Sequence, residues 1–213
     1  YPETHDRQLA VRAEVSKGLR ESFFAALTHA PTITVGKRST ETPQQPELSR
    51  RGIDLYKANR GGLATYHGPG QLMVYMFIDI ERLGIKIRQV VAAIEKGLID
   101  WLFGKGIVAT CVKGSPGVFV RNENGANEKI AAIGLNFSRG VSMHGFSLYL
   151  LDDSAPFSLI EPCGVKGGMV TSVQAQLSEA ISPKECFESV ANQIRSSIFS
   201  NAKRLDEVDS CDR

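Results

Sequence analysis

Periodic spacing of the apolar residues divides the chain into predicted helices and strands. Apolar positions near helical spacing predict a first helix over about residues 7–28. The strongest helical period runs from Ile87 to Leu102, where apolar residues recur three and four positions apart. A last helix is predicted from Ser182, because Ser182 can cap it and Pro183 suits its first turn.

Shorter apolar runs between these helices predict strands. They cover residues 32–36, 53–58, 71–80, 107–112, 117–120, 129–138 and 141–151. Only a short Arg-Gly link separates the last two, which indicates a hairpin. Residues 37–52 are polar and contain proline, so a mobile loop is expected there. The order of elements predicts an α/β fold of the α+β type, with a mixed, largely antiparallel sheet and packed helices.

The composition and charge are those of an ordinary globular protein. Hydrophobic residues make up 42% of the 213 residues, charged residues make up 23%, and the net charge is +2. Such a mild charge indicates neither a nucleic-acid nor a membrane partner, and no apolar run approaches the roughly 20 residues that a membrane span needs. The four cysteines lie far apart without a CxxC pair, so free thiols in a reducing compartment are expected. We therefore expect a cytoplasmic location; the alternative is a mitochondrion or plastid after removal of a transit peptide.

Cofactor motifs are missing from the sequence. No GxGxxG follows a predicted strand, and VGKRS at 35–39 lacks the spacing of a phosphate-binding loop. No HExxH motif or pair of histidines at helical spacing indicates a metal site. The sequence therefore predicts chemistry without a nucleotide, a metal or another cofactor.

A glycine-rich segment, RGGLATYHGPGQ at 60–71, directly precedes a predicted strand. Glycine accepts backbone angles that other residues avoid and lets a ligand approach the main chain closely, although a tight turn has the same requirement. His67 lies in this segment, and His144 lies in a second glycine-flanked setting, MHGFS. Each histidine is either a hydrogen-bonded structural residue or part of a site.

Cys163 and Lys129 are the candidates for covalent chemistry. Pro162 and Gly164 flank Cys163 and place its thiol on a loop or at the end of an element, whereas most lone cysteines are small core residues. Lys129 opens a predicted strand after a polar turn, at a strand edge where a lysine is usually solvated. If Lys129 instead lies beside the thiol, its ammonium favours the thiolate and lowers the pKa of the cysteine.

The blocks RGGLATYHGPGQ, GVFV, KIAAIG, MHGFSLYL and EPCG followed by VTSV resemble, in this order, the lipoyl(octanoyl) transferases. The resemblance covers about residues 8–200 and implies the catalytic fold of the biotin and lipoate protein ligases, in a single domain over residues 1–213. It also implies transfer of an octanoyl group from octanoyl-acyl carrier protein, through a cysteine acyl-thioester, to a lysine of a lipoyl domain. The implied acceptors are the lipoyl domains of 2-oxoacid dehydrogenases or the glycine cleavage H protein.

Residue roles follow from the same resemblance. Cys163 resembles the nucleophile of the family, and Lys129 resembles the lysine that tunes the thiol and manages protons. His144 is a candidate for a supporting role. Tyr149 stands where asparagine is common in the family, a departure that bears on the shape of the pocket. The residues that resemble the substrate-lining segments are Arg60, Gly61, Gly62, Leu63, Ala64, Thr65, Tyr66, His67, Ala132, Ile133, Gly134, Gly145, Phe146 and Ser147.

Two other functions fit parts of the pattern. An ATP-dependent lipoate or biotin protein ligase on the same fold would use the lysine to bind an acyl-adenylate and would not need Cys163. A non-catalytic module that docks lipoyl domains or carrier protein would need no thiol at all. Formation of a covalent acyl adduct separates the transferase from the docking module, and a response to ATP favours the ligase.

Overall fold

The computed structural model describes residues 1–39, 43–160 and 169–203, and Cys163 and Cys211 lie outside them. The helices are α1 (Pro2–Ser16), α2 (Gln45–Arg50), α3 (Ile80–Leu83), α4 (Ile87–Gly104), α5 (Val173–Leu177) and α6 (Pro183–Lys203), with a 3₁₀ helix at Ala155–Leu159. The strands are β1 (Phe23–Leu27), β2 (Thr32–Val35), β3 (Asp54–Lys57), β4 (Thr65–His67), β5 (Gln71–Phe77), β6 (Ala109–Val112), β7 (Ser115–Arg121), β8 (Asn127–Ser138) and β9 (Val141–Tyr149). None of the helices in these ranges has the length and apolar character needed to cross a membrane.

The described strands form two sheets. The larger sheet has the order β1-β5-β9-β8-β7-β6, and each neighbouring pair is antiparallel. The smaller sheet has the order β3-β2-β4, with β2 parallel to β3 and antiparallel to β4. The predicted mixed, largely antiparallel sheet is therefore confirmed. Arg139 and Gly140 join β8 to β9 with φ values of 51° and 72°, the positive angles that two-residue hairpin turns require.

Alternation along β5 gives the larger sheet two buried faces. Leu72 and Val74 belong to the main core, which the sheet forms with α4 and α6. Met73 and Tyr75 belong to a second cluster, with Val15 of α1 on the opposite face. The smaller sheet has its own apolar cluster, which includes Ile33, Leu48 and Tyr66.

The two long helices follow the sequence prediction. At the start of α6, the Glu185 N–H donates to Ser182 Oγ (3.3 Å), and the Ser182 N–H donates to Glu185 Oε2 (3.2 Å). These reciprocal bonds satisfy backbone donors that a helix start leaves unpaired. α4 approaches α6 closely at Gly97, where a Cβ would lie 2.7 Å from Ile194 Cγ1.

Two predictions of local structure are wrong. The first helix ends at Ser16, and Phe23–Leu27 form β1, which pairs with β5. A run of five apolar residues fits a buried strand as well as a helix, and the pairing with β5 decides between them. Within the expected loop at 37–52, Gln45–Arg50 form α2, because Leu48 is buried in the core of the smaller sheet and anchors this turn of helix.

Candidate active site

A cavity of about 700 Å³ is lined by residues of β4, β5, β8 and β9. Its volume falls in the range of small-molecule binding pockets. Three stretches that are separate in the sequence, residues 60–67, 129–134 and 144–147, meet at its wall. The sequence-predicted residues that line it are Arg60, Gly61, Gly62, Leu63, Ala64, Thr65, His67, Lys129, Ala132, Ile133, Gly134, His144, Gly145, Phe146 and Ser147.

Arg60 is buried at the start of the glycine-rich segment, and the smaller sheet fixes its guanidinium. Nε and Nη2 donate to the hydroxyl of Thr34 (3.1 and 2.8 Å), and Nη2 also donates to the Thr34 carbonyl (2.7 Å). Nη1 donates to the carbonyl of Gly61 (3.0 Å). A buried positive charge therefore lies beside the cavity.

Close contacts explain two of the glycines near Arg60. A Cβ at Gly36 would lie 2.7 Å from Arg60 Nη1, and one at Gly134 would lie 3.1 Å from Arg60 Cδ. The N–H of Gly61 donates to the carbonyl of Leu135 (3.0 Å). The glycine-rich segment is therefore packed and hydrogen-bonded directly against β8.

His67 is buried on β4, and its hydrogen bond fixes its tautomer. Its Nε2 lies 3.0 Å from Thr34 Oγ1. Because that oxygen already accepts two hydrogen bonds from Arg60, the hydroxyl proton is donated to His67 Nε2. The proton of the neutral ring is then on Nδ1, which has no hydrogen-bond partner among the described residues. The Nδ1–H of His67 is therefore a hydrogen-bond donor that is available at the cavity wall.

His144 adopts a left-handed backbone conformation in the middle of β9, with φ of 63°. Its ring Nε2 donates to Asn59 Oδ1 (2.6 Å), and its backbone N–H donates to Gln8 Oε1 (3.0 Å). These bonds connect β9 to α1 and to the chain just before the glycine-rich segment. They hold the ring at the cavity in spite of the backbone strain.

Burial and the Arg60 guanidinium keep these histidines neutral. Burial, followed by the charge of Arg60, lowers the pKa of His67 well below its ordinary value and lowers the pKa of His144 to about 3. Burial also lowers the pKa of His29, which is hydrogen-bonded to the Tyr75 hydroxyl (2.6 Å), to about 4. At neutral pH the three rings are hydrogen-bonding groups rather than cations.

A bulge in β8 brings Lys129 to the cavity. The register of β7 against β8 shifts in this region. As a result, the consecutive residues Ile130 and Ala131 both belong to the main core, while Lys129 and Ala132 on either side line the cavity. Simple alternation would have placed Lys129 and Ala132 on opposite faces of the strand.

Lys129 is buried, with 6% of its surface exposed. Its Nζ donates to the carbonyl of Pro116 (3.3 Å) and lies 4.9 Å from the centre of the Phe119 ring. β8 lies between β7 and β9 in the larger sheet. The interpretation of Lys129 as a solvated strand-edge residue is therefore wrong.

Lys129 is also bonded to the chain that follows Cys163. The Lys129 N–H donates to the carbonyl of Met169 (2.9 Å), and the Thr171 N–H donates to the carbonyl of Lys129 (3.0 Å). Cys163 itself lies in the segment 161–168, outside the described residues. Its proximity to the lysine stays a prediction.

Tyr66 is the one described member of the predicted substrate-lining set that does not reach the cavity. Alternation along β4 gives Thr65 and His67 one face and Tyr66 the other. Tyr66 packs in the core of the smaller sheet, and its hydroxyl donates to Asp153 Oδ2 (2.9 Å). Its place in the motif therefore has a structural explanation.

Several residues of the cavity wall were not singled out from the sequence. They include Tyr1, Arg38, Met73, Tyr75, Ile87 and Val91. Met73 and Tyr75 alternate along β5, so the strand period alone shows that they share a face. Tyr1 and Arg38 reach the cavity through tertiary packing, which leaves no local pattern in the sequence.

The described cysteines differ in state. Cys186 is a free thiol buried at the start of α6, where burial raises its pKa to about 11. Cys111 is disulfide-bonded. The expectation of free thiols is therefore wrong for Cys111.

Solved structures share this arrangement of sheets and helices. Lipoate-protein ligase A bound with ATP matches with a TM-score of 0.64 and 14% identity, over 93% of this chain and 81% of that chain. Biotin protein ligase from Aquifex aeolicus matches with a TM-score of 0.50 and 11% identity, over 84% of this chain and 72% of that chain. The fold is that of the lipoate and biotin protein ligase catalytic domains.

The family model of the lipoyl protein ligase A/B catalytic domain matches residues 1–195, and the chain belongs to this family. An octanoyltransferase from Citrifermentans bemidjiense is 37% identical over 192 residues, which are 90% of this chain and 89% of that protein. An octanoyltransferase from Aromatoleum aromaticum is 46% identical over 143 residues, which are 66% of this chain. The chain spans 58% of the length of the Aromatoleum protein.

Proposed function

We propose that this protein is an octanoyltransferase in which Cys163 carries the acyl group and Lys129 manages the protons. The donor is octanoyl-acyl carrier protein, and the acceptor is a lysine of a lipoyl domain. The proposal is carried by Lys129, whose buried amine lies at the cavity wall and whose backbone is hydrogen-bonded to the chain that follows Cys163. The activity for which the curated relatives are named supports the identity of the acyl group.

The reaction divides into two acyl transfers. In the first, Lys129 takes the proton of the Cys163 thiol, and the thiolate attacks the carbonyl carbon of the donor thioester. A new C–S bond forms, the old C–S bond breaks, and the carrier thiolate leaves and takes the proton back from Lys129. In the second, the acceptor amine attacks the new thioester, an amide forms, and the Cys163 thiol is released. Exchange of one thioester for another is nearly energy-neutral and the amide is more stable, so no ATP is required.

Lys129 suits both steps. As an ammonium it favours the thiolate of a neighbouring cysteine. As an amine it accepts the proton that the attacking acceptor lysine must lose. The hydrogen bond to the Pro116 carbonyl and the contact with the Phe119 ring restrict the position of Nζ.

Small side chains give the cavity its room for an acyl chain. Gly134 is paired with Gly145 across β8 and β9, and Ala132 is paired with Ser147 beside them. All four line the cavity, so this part of its floor is nearly bare backbone. We infer that the octanoyl chain lies along it, with the carbonyl near Lys129.

The proposal also covers the organisation and partners of the protein. Residues 1–213 form a single catalytic domain that works in the cytoplasm without a cofactor. The acceptors are the lipoyl domains of 2-oxoacid dehydrogenases or the glycine cleavage H protein. Neither a nucleic acid nor a membrane takes part.

The test is octanoyl transfer from carrier protein to an apo lipoyl domain, without ATP and with a reductant present. We expect the wild type to complete the transfer and Cys163→Ala to lose it. If transfer instead needs free octanoate and ATP and survives in Cys163→Ala, the protein is a ligase and the proposal is wrong. Binding of the lipoyl domain with no transfer under either condition would make the protein a docking module.

A further inference from the structure

Glu95 is a buried carboxylate on α4, with 6% of its surface exposed. It follows Ile87 and Val91 at intervals of four residues, so it lies on the same stripe of α4 as these two cavity-lining residues. An apolar side chain would suit this stripe, and a buried carboxylate is costly unless hydrogen bonds or an opposite charge compensate it. The position therefore points to a specific partner.

That partner is one end of a single peptide unit. Glu95 Oε1 accepts a hydrogen bond from the N–H of Gly117 (3.1 Å). The carbonyl of the same peptide unit belongs to Pro116 and accepts a hydrogen bond from Lys129 Nζ (3.3 Å). The C=O and N–H of a trans peptide point in opposite directions. The carboxylate and the ammonium therefore face opposite ends of this unit, with the peptide dipole aligned between them.

The Pro116–Gly117 peptide is held in this orientation. Gly117 has φ of 133°, and a Cβ there would collide with the carbonyl of Ala131 on β8. Gly117 is also paired with Ala132 in the sheet. The two charged groups therefore act on a peptide that cannot turn away from either of them.

The charges of Glu95 and Lys129 act on each other across this peptide. Burial raises the pKa of Glu95, whereas the Gly117 N–H and the Lys129 ammonium act to lower it. The path from Nζ to Oε1 through the peptide is about 9 Å at most. The elements packed against α4 carry further charged residues, which are Arg121, Lys184, Glu185, Glu188, Arg195 and Lys203.

We propose that Glu95 is a positioning residue for Lys129: the carboxylate and the amine hold opposite ends of the Pro116–Gly117 peptide, which fixes the amine at the cavity wall. Glu95 does not line the cavity and acts through the peptide. This inference rests on the proposed function, in which Lys129 manages protons.

Two substitutions separate the charge of Glu95 from its hydrogen bond. Glu95→Gln keeps an acceptor for the Gly117 N–H but has no charge. Glu95→Asp keeps the charge but is one methylene too short for the same hydrogen bond. Asp100→Asn is the matched control, because Asp100 is on the same helix and its carboxylate pairs with Lys96 (2.7 Å) instead of facing β7.

The readout is the kcat and KM of octanoyl transfer, measured for each variant alone and in combination with Lys129→Ala. In Glu95→Gln kcat should fall by about threefold to tenfold, because the peptide that holds the amine has lost its charged partner, and in the Lys129→Ala background the same substitution should cause no further loss. The KM for the octanoyl donor should stay unchanged. Glu95→Asp should also lower kcat, because its carboxylate no longer reaches the Gly117 N–H, and Asp100→Asn should change neither constant.

A wild-type kcat in Glu95→Gln would overturn the inference, as would an equal loss on adding Glu95→Gln to Lys129→Ala, since either result makes Glu95 a structural residue. The proposed function fails separately: it is wrong if Lys129→Ala itself transfers octanoyl at the wild-type rate. A loss in Lys129→Ala together with an unchanged Glu95→Gln rejects the role of Glu95 and leaves the proposed function standing.

Discussion

Acidification should destabilise the protein through its buried histidines, and His144 is the ring on which the effect can be measured. Its pKa is about 3 in the folded protein, against roughly 6.5 in an unfolded chain. Between these values the unfolded chain binds a proton that the folded protein does not. The stabilising contribution of the neutral ring is therefore complete above about pH 6.5 and is lost as the pH falls toward 3.

The size of the effect follows from the two pKa values. At pH 5 the unfolded ring is protonated and the folded ring is not, which lowers the free energy of unfolding by about 2 kcal/mol relative to pH 8. That is a large part of the roughly 5–15 kcal/mol that stabilises a typical domain. The pKa values of His67 and His29 are lowered in the same direction, so the wild type should lose more than His144 alone accounts for.

Urea unfolding at pH 8 and pH 5 measures this, with the fluorescence of Trp101, the single tryptophan, as the probe. His144→Asn is the informative variant, because asparagine tolerates positive φ and does not titrate. It should be less stable at pH 8 by about 1 kcal/mol, through loss of the hydrogen bond to Asn59. Between pH 8 and pH 5 it should lose about 2 kcal/mol less than the wild type. An equal loss in both proteins would refute the reasoning.

Substitutions at three further positions test separate parts of the structure. Lys129→Ala should slow both acyl transfers by about 100-fold or more in single-turnover assays, and Lys129→Arg should not restore the rate, because a guanidinium keeps its proton; a normal rate in Lys129→Arg would contradict the proton-transfer role. Gly145→Ala should destabilise the protein by about 2 kcal/mol or more, because its Cβ would collide with the Val74 carbonyl. Calorimetry should show no such loss in the control Gly104→Ala, which has open space, and equal melting temperatures for the two variants would reject the clash. Ser182→Ala should lower the free energy of unfolding by about 1 kcal/mol without slowing transfer, and unchanged urea unfolding would argue against the cap.

The parts of the fold that could be predicted from sequence are those with a long local period or a capping pattern. α4 follows directly from its apolar spacing, and α6 from the Ser182 and Glu185 cap. β1 could not be distinguished from a continued helix, because its pairing partner β5 lies far along the chain. In the same way, α2 depends on a single buried leucine that meets the smaller sheet only in the folded protein.

The same distinction applies to the candidate site: residues in a local motif could be predicted from sequence, whereas contacts that depend on the folded structure could not. The glycine-rich segment and the paired small residues of β8 and β9 were found from their motifs, since close backbone approach requires glycine. The burial of Lys129 was not found, because it depends on the bulge that resets the alternation of β8. The link from Glu95 to Lys129 was also missed, since it runs through a backbone peptide of a third element, β7.

Intact-mass spectrometry of the protein after incubation with octanoyl-acyl carrier protein tests the central claim most directly. The sample contains a reductant, because Cys111 is disulfide-bonded in this structure, and it contains no acceptor domain. The wild type should gain the mass of one octanoyl group, Cys163→Ala should gain none, and addition of an apo lipoyl domain should remove the adduct from the wild type. An unmodified wild type, or an adduct of the same size in Cys163→Ala, would contradict a transferase that works through Cys163.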